Sequence, residues 1–238
     1  MTGQWHGLAA ALLLLAAVPA PTAEAANGGV RIRCVKTDVH VNAGSRKDAL
    51  LACTSARRTL RHLGRIGVVL RNQLAIDIVP GSSLAGGMQS YGRFDPDANR
   101  VSVARPADIG KLRREQDPYS ALPPRALFRS VLAHELVHAA LQSNDLPMSR
   151  DRIAQEYMAY AIEIQLMGPR SRRAFLRAAP VVVSNDLGQF TELGLAFAPQ
   201  AFGAAAYRHY SGVRDRPAFL AGVLQGSIRF PTASDDME

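Results

Sequence analysis

Residues 131–140 read VLAHELVHAA and place the pattern His-Glu-x-x-His in a run that is otherwise apolar. Side chains four residues apart lie on the same face of an α-helix, so His134 and His138 can reach one metal ion. Two neutral imidazoles suit zinc, and a preformed helix lowers the cost of bringing them together. Glu135 would then stand beside the metal, in the position of a general base for a metal-activated water.

The residues around this motif predict a helix that is buried on nearly all sides. The apolar side chains on its two faces are Leu127, Val131 and Leu141 beside the histidines, and Phe128, Leu132, Leu136 and Ala139 opposite them. Titratable side chains in the middle of such a helix are costly to bury without partners, and a metal ion supplies partners. The alternatives are a core helix with coincidental histidines and a metal site that has lost its activity.

Composition and charge limit the classes of protein that fit. The chain has 238 residues, 47% of them hydrophobic, which allows one substantial core and does not require two domains. The net charge is +8, but the basic residues are scattered and no basic run is interleaved with aromatic residues. We therefore expect no nucleic-acid partner and interpret the charge as a solvated surface suited to an anionic cell envelope.

The N-terminal residues indicate export. Residues 8–18 form an apolar run that is too short to cross a bilayer, and small residues follow it up to Ala25 and Ala26. This pattern predicts a secretory signal over residues 1–26, a secreted or periplasmic protein, and no integral membrane segment after signal removal. No Lys or Arg precedes the run, so an uncleaved anchor and an over-extended start remain alternatives.

The two cysteines, Cys34 and Cys53, are interpreted together. An even count in an exported chain favours a disulfide, which would join a strand-like segment to a helix-like segment and pin the first helix to the sheet. The alternative is two buried thiols.

Hydrophobic periodicity predicts an α+β fold. We expect a small N-terminal mixed sheet with one helix, a metal-binding helix pair and a helical C-terminal part. Strands are predicted at residues 30–41 and 74–79 and in a hairpin at 91–104. Helices are predicted at 45–63, 124–142, 152–167, 171–179, 187–197, 200–210 and 217–225.

The motif, followed on the next helix by a glutamate eighteen residues after His138, resembles the gluzincin-type zinc metallopeptidases, in particular the bacterial peptidase-MA-like proteins. The resemblance spans residues 121–230 and implies a zincin-like metallopeptidase domain over residues 27–238. It implies Zn²⁺ held by His134, His138 and Glu156. Glu163, on the same helix, stays open as an alternative ligand. A metzincin arrangement is excluded because Leu141 and Asn144 stand where Gly and His are required.

The resemblance also implies an exported peptidase that hydrolyses peptide or protein substrates with Glu135 as general base. The helix at 200–210 should approach the cleft, so Tyr207, His209 and Tyr210 are candidate donors to the oxyanion. The edge of strand 101–103 could bind an extended peptide. The alternative function is a catalytically inactive zincin-like envelope protein that acts as a binding module.

One departure from the family pattern concerns the group that orients the first histidine. Many gluzincins place an Asp four residues after the glutamate ligand, and this chain has Tyr160 there. Asp151, Asp145 and a backbone carbonyl are the remaining possibilities.

Overall fold

The computed structural model describes residues 29–86, 88–113 and 117–231. The predicted signal sequence, residues 1–26, lies outside the described residues. None of the helices in these described ranges combines the length and apolar character that crossing a membrane requires.

The described residues form a five-stranded mixed sheet in the order β1-β2-β3-β7-β6. Its strands are β1 (Val30–Arg33), β2 (Val39–Ala43), β3 (Leu74–Val79), β6 (Gly92–Asp95) and β7 (Arg100–Ala104). The three central strands are parallel, and each edge strand is antiparallel to its neighbour. Two shorter strands, β4 (Ala85–Gly86) and β5 (Met88–Gln89), pair separately. The predicted mixed sheet is confirmed.

The first predicted strand, residues 30–41, is wrong in one respect, because the chain reverses direction within it. β1 and β2 form an antiparallel pair in which Val30 lies opposite Ala43. Lys36, in the turn between them, has a φ of 61°, a left-handed conformation that interrupts an extended strand. Alternation continues on both sides of the turn, so the periodicity alone did not reveal it.

The helices are α1 (Arg46–Arg65), α2 (Pro106–Ile109), α3 (Pro124–Gln142), α4 (Arg152–Leu166), α5 (Pro169–Ala178), α6 (Glu192–Phe197), α7 (Pro199–Gly212) and α8 (Arg216–Leu224). The predicted α+β class is confirmed. Helix α1 begins at Ser45, whose hydroxyl accepts a hydrogen bond from the Asp48 N–H at 3.1 Å. The predicted disulfide is also present: Cys34, just after β1, is bonded to Cys53 in α1, so the bond ties this helix to the sheet.

Helix α3 lies between two hydrophobic clusters. Its residues Leu127, Phe128, Leu132 and Leu136 have no exposed surface and pack in the cluster that contains the sheet and α1. Val137 and Leu141 pack in the second cluster, which contains α4, α7 and α8. Burial of each such large side chain stabilises the fold by about 1.5–3 kcal/mol. The histidine pair is therefore carried by a helix that packs against both hydrophobic clusters.

Candidate metal centre

The two motif histidines lie one above the other on α3, as the helical spacing predicts. Their ring centroids are 4.9 Å apart, and the Nε2 atoms of His134 and His138 are 3.1 Å apart. The two side chains are 13% and 16% exposed, so both rings are held by the protein and still reach a solvent-accessible pocket.

Helix α4 brings Glu156 to the same point. One carboxylate oxygen of Glu156 lies 3.4 Å from His134 Nε2, and the other lies 3.7 Å from His138 Nε2. Ligand atoms bound at about 2.0–2.2 Å to a tetrahedral zinc ion are about 3.3–3.5 Å apart. The three observed separations bracket this value, so the donor set fits a tetrahedral ion. His134, His138 and Glu156 could therefore hold a metal ion.

Glu163 orients His134 from the opposite side of the ring. Its Oε2 lies 3.1 Å from His134 Nδ1, and the side chain has no exposed surface. Its Oε1 accepts hydrogen bonds from the hydroxyls of Ser130 at 2.6 Å and of Tyr119 at 2.7 Å. Metal-ligating histidines commonly donate their second ring N–H to a carboxylate in this way. Glu163, the alternative ligand left open by the sequence, therefore lies behind the His134 ring and outside the cluster of candidate ligands.

The residues considered for this supporting position lie elsewhere. Asp151 caps α4, because its carboxylate accepts a hydrogen bond from the Ala154 N–H at 2.9 Å. Asp145 has a φ of 46° in the turn that follows α3. Glu163 is seven residues after Glu156, two helical turns along the same face, and this spacing was the signal that could have identified it.

The hydrogen bonds around the two histidine rings decide which ring nitrogens face the point between His134, His138 and Glu156. The carboxylate of Glu163 can only accept, so Nδ1 of His134 carries a proton and its Nε2 faces the centre. His138 hydrogen-bonds the side chain of Gln155. Two ring nitrogens and the Glu156 carboxylate thus converge to separations of 3.1, 3.4 and 3.7 Å, and a positive charge between them would be stabilised.

When no metal is bound, the carboxylates on either side of His134 favour its protonated form. Burial acts to lower the pKa of His134, but the hydrogen bonds and charges of Glu156 and Glu163 outweigh it and raise this pKa well above the usual value. Burial and the neighbouring charge of His134 lower the pKa of His138 to about 4. Against the effect of burial, His134 lowers the pKa of Glu156 to about 2. A metal ion would take the place of this proton.

Glu135 lies beside the three candidate ligands, between α3 and the edge strand β6. Burial is the main cause that raises the pKa of its carboxyl to about 7, and a hydrogen bond from the Phe94 N–H opposes the shift. The strand passes close to the helix because residue 92 is glycine: a Cβ there would lie 2.7 Å from Val131 and 3.3 Å from Glu135. Glu135 can therefore exchange a proton near neutral pH.

A cavity of about 330 Å³ opens above these side chains. Its walls are the candidate ligands and Glu135 from the helices, and Gly92, Arg93, Phe94 and Pro96 from β6 and the turn after it. The volume is at the lower end of the range of about 300–1,000 Å³ for small-molecule sites. The cavity therefore has room for a small ligand.

Tyr160 supports His134 by packing and not by a hydrogen bond. Its ring meets the His134 ring edge to face, with centroids 4.5 Å apart. Helix α7 presses on the other side of Tyr160 at Gly203, where a Cβ would lie 2.5 Å from the Tyr160 ring. Where the gluzincin pattern has an Asp, this chain therefore has an aromatic ring packed on His134.

Tyr207 and His209, the predicted oxyanion donors on α7, are placed outside this cavity. His209 is buried, and its Nδ1 lies 2.6 Å from the Tyr157 hydroxyl among aromatic rings. The Arg172 guanidinium lies over the ring of Tyr207. Tyr210, the third candidate donor, is buried with the Arg216 guanidinium over its ring and also does not line the cavity. Helix α7 reaches the centre only indirectly, because Gly203 packs on Tyr160 of α4.

The predicted peptide-binding edge is also corrected. Strand β7, which contains residues 101–103, is paired with β3 on one side and β6 on the other, so its backbone groups are already used. The strand at the edge of the sheet is β6, which borders the cavity.

Comparison with known proteins gives one match. A family model described as a family of unknown function, DUF6639, matches residues 39–233, which include all of the candidate metal centre. No curated protein and no solved structure matches the chain at a significant level.

Proposed function

We propose that this chain, which belongs to the family of unknown function DUF6639, is a zinc-dependent hydrolase that cleaves peptide bonds. The observation that carries the proposal is the convergence of His134, His138 and Glu156 at one point, with Glu135 beside them in an open cavity. Three protein ligands that leave one position free are typical of catalytic zinc sites, whereas structural sites are closed by four.

His134, His138 and Glu156 would hold the metal. When bound, zinc would lower the pKa of a coordinated water to about 7 and polarise the scissile carbonyl. Glu163 keeps the His134 ring in the orientation that presents Nε2 to the centre. Tyr119 and Ser130 hold Glu163 in turn, so the ligand geometry is set before a substrate arrives.

Glu135 moves the proton in this mechanism. Its carboxylate accepts a proton from the attacking water and delivers it to the leaving amine. In the metal-free protein, burial raises the pKa of this carboxyl to about 7, so the site favours the protonated group that the second step needs more than water does. The Phe94 N–H donates to this carboxylate and fixes its position against β6.

A peptide is the substrate class that the cavity favours. The edge strand β6 forms one wall of the cavity, and an extended peptide can pair with those of its backbone groups that Glu135 and Ser90 do not already use. The disulfide between Cys34 and Cys53 supports an exported protein, because disulfides persist in oxidising compartments.

The test measures zinc content and peptidase activity on the same samples. We expect one zinc per chain in wild type purified without chelator, and loss of zinc in His138→Ala and Glu156→Ala. Glu135→Gln should keep the metal and lose about 10²–10⁴ of the rate on a fluorogenic peptide library. Glu192→Gln, which alters an exposed carboxylate paired with Arg152, is the matched control and should behave as wild type.

Two results would contradict the proposal in different ways. Zinc retained in Glu156→Ala would show that Glu156 is not a ligand. Full zinc with equal activity in wild type and Glu135→Gln would favour the catalytically inactive binding module.

A further inference from the structure

A second cavity lies on the other side of α3 from the candidate metal centre, where α1, α3 and the start of α5 meet. Its volume is about 160 Å³. Side chains of Arg58 and Thr59 from α1, Arg129 and Ser130 from α3, and Ser171 from α5 line it. Because drug-sized ligands occupy about 300–1,000 Å³, this cavity suits a small group of a few heavy atoms.

Two exposed arginines stand at this cavity without acidic partners. Within the described residues, neither Arg58 nor Arg129 forms an ion pair with a carboxylate. Helix α5 carries no acidic residue. Helix α1 carries one, Asp48, which lies in its first turn. Burial, followed by the charges of Arg65 and Arg58, lowers the pKa of the nearby His62, in keeping with a positive potential on this face.

Uncommitted hydrogen-bond donors point to a ligand in the same place. Thr59 is 2% exposed and lines the cavity, yet its hydroxyl has no hydrogen-bond partner among the described residues. Helix α5 begins at Gly168 without a side-chain cap, so the N–H groups of Arg170 and Ser171 lack acceptors in the helix. Thr59 is the buried donor among these, Ser171 is half-buried at the cavity, and a buried hydroxyl of this kind favours an acceptor-rich ligand.

The one carboxylate at the cavity is at its inner end. Glu163 has no exposed surface, and its two oxygens already accept from Tyr119, Ser130 and His134. A ligand that enters from solvent meets the exposed guanidinium groups of Arg58 and Arg129 first. The inner carboxylate therefore does not exclude an anion from the outer part of the cavity.

We propose that this cavity binds a phosphate-type oxyanion, with Arg58, Arg129, the Thr59 hydroxyl and the free N–H groups of α5 as donors. Planar guanidinium groups and helix N-termini both match the tetrahedral oxygens of a phosphate group. The phosphate could be free inorganic phosphate or the phosphomonoester headgroup of a lipid. The proposal does not depend on the metal centre or on hydrolysis.

Calorimetric titration of the full-length protein with inorganic phosphate, at constant ionic strength, tests the site. We expect saturable binding in wild type, and a dissociation constant about tenfold or more higher in Arg58→Gln and in Arg129→Gln, the loss expected for one charge-assisted hydrogen bond. Thr59→Val, which keeps the side-chain volume, should also weaken binding. Arg57→Gln is the matched control, because Arg57 is the exposed neighbour of Arg58 and does not line the cavity.

Vesicles distinguish the two sources of phosphate. Cosedimentation with phosphatidylcholine vesicles that contain phosphatidic acid, lost in Arg58→Gln and retained in Arg57→Gln, would assign the lipid headgroup. Saturable phosphate binding without cosedimentation would assign a soluble ligand. The proposal is overturned if neither phosphate nor these vesicles bind, or if Arg57→Gln weakens binding as much as Arg58→Gln. Equal weakening would indicate diffuse attraction of polyanions, including DNA.

Discussion

Glu163 is a fully buried carboxylate that holds the candidate metal ligand His134 from the side of the ring opposite Glu156. It accepts from two hydroxyls and from His134 Nδ1, so its charge is compensated and its position is fixed. A supporting carboxylate of this kind raises the basicity of the histidine and selects its tautomer.

We expect Glu163→Gln to weaken zinc binding by about 10–100-fold, because the amide cannot accept from all three donors. Tyr119→Phe removes one donor and keeps the ring, so it should have a smaller effect. Competition with a chromogenic zinc chelator measures both affinities. Unchanged affinity in Glu163→Gln would show that the carboxylate does not act on the metal.

The raised pKa of Glu135 predicts that the free energy of unfolding of the metal-free protein depends on pH. Its folded pKa of about 7 lies above the unfolded value near 4.5, so the fold favours the protonated form. For a carboxyl group this means that stability is lost as pH rises from about 4.5 to 7, and the loss is complete above pH 7.

Glu135→Gln mimics the protonated form and should therefore stabilise the metal-free fold at pH 8, by on the order of 1–3 kcal/mol. At pH 4 the variant and wild type should be equal, since Glu135 is protonated in both states. Urea unfolding at the two pH values gives the comparison. If Glu135→Gln raises the free energy of unfolding equally at pH 4 and pH 8, ionisation of Glu135 is not the cause of the stabilisation.

At the scale of elements, two glycines set the distances between the parts of the centre. Gly92 lets β6 approach α3 and brings the Phe94 N–H to Glu135. Gly203 lets α7 approach α4 and hold Tyr160 against His134. At both positions the neighbouring elements are packed without space for an added methyl group.

Gly203→Ala should destabilise the fold by about 1–3 kcal/mol, because its methyl group would overlap the Tyr160 ring. Displacement of Tyr160 should also weaken metal binding. Gly212→Ala, at the end of the same helix, is the control: no atom lies within 4 Å of its added Cβ, so it should be neutral or slightly stabilising. Equal thermal midpoints for the two variants would contradict the close contact.

At the scale of the whole molecule, the disulfide and the metal centre belong to different parts of the fold. The bond between Cys34 and Cys53 joins β1 to α1, whereas the centre is built by α3 and α4. Both parts share the core cluster that contains the sheet and α3.

The double substitution Cys34→Ser and Cys53→Ser should lower the free energy of unfolding by about 3 kcal/mol, as expected for a cross-link that closes a loop of this length. Zinc content of the folded variant should stay at the wild-type level, because no ligand moves. Urea unfolding and elemental analysis measure the two quantities. Loss of zinc from a still-folded variant would show that the disulfide also positions the centre.

The sequence by itself determined the class of fold, the capped start of α1, the hairpin of β6 and β7, and the histidine pair with its neighbouring glutamate. These features depend on contacts between residues close in the chain, so periodicity and caps record them. Glu156 was identified through its spacing on the next helix, and the two cysteines through their even count.

Only the tertiary structure decided which carboxylate supports His134, which strand lies at the sheet edge, and that Tyr207 and His209 are placed away from the cavity. Each depends on how distant elements pack. Glu163 meets Tyr119 and Ser130 because α4 crosses α3, and β7 is interior because β3 pairs with it. Such contacts form where faces of distant helices and strands pack together. The hydrophobic pattern of one segment shows which face is buried, but not which element it packs against.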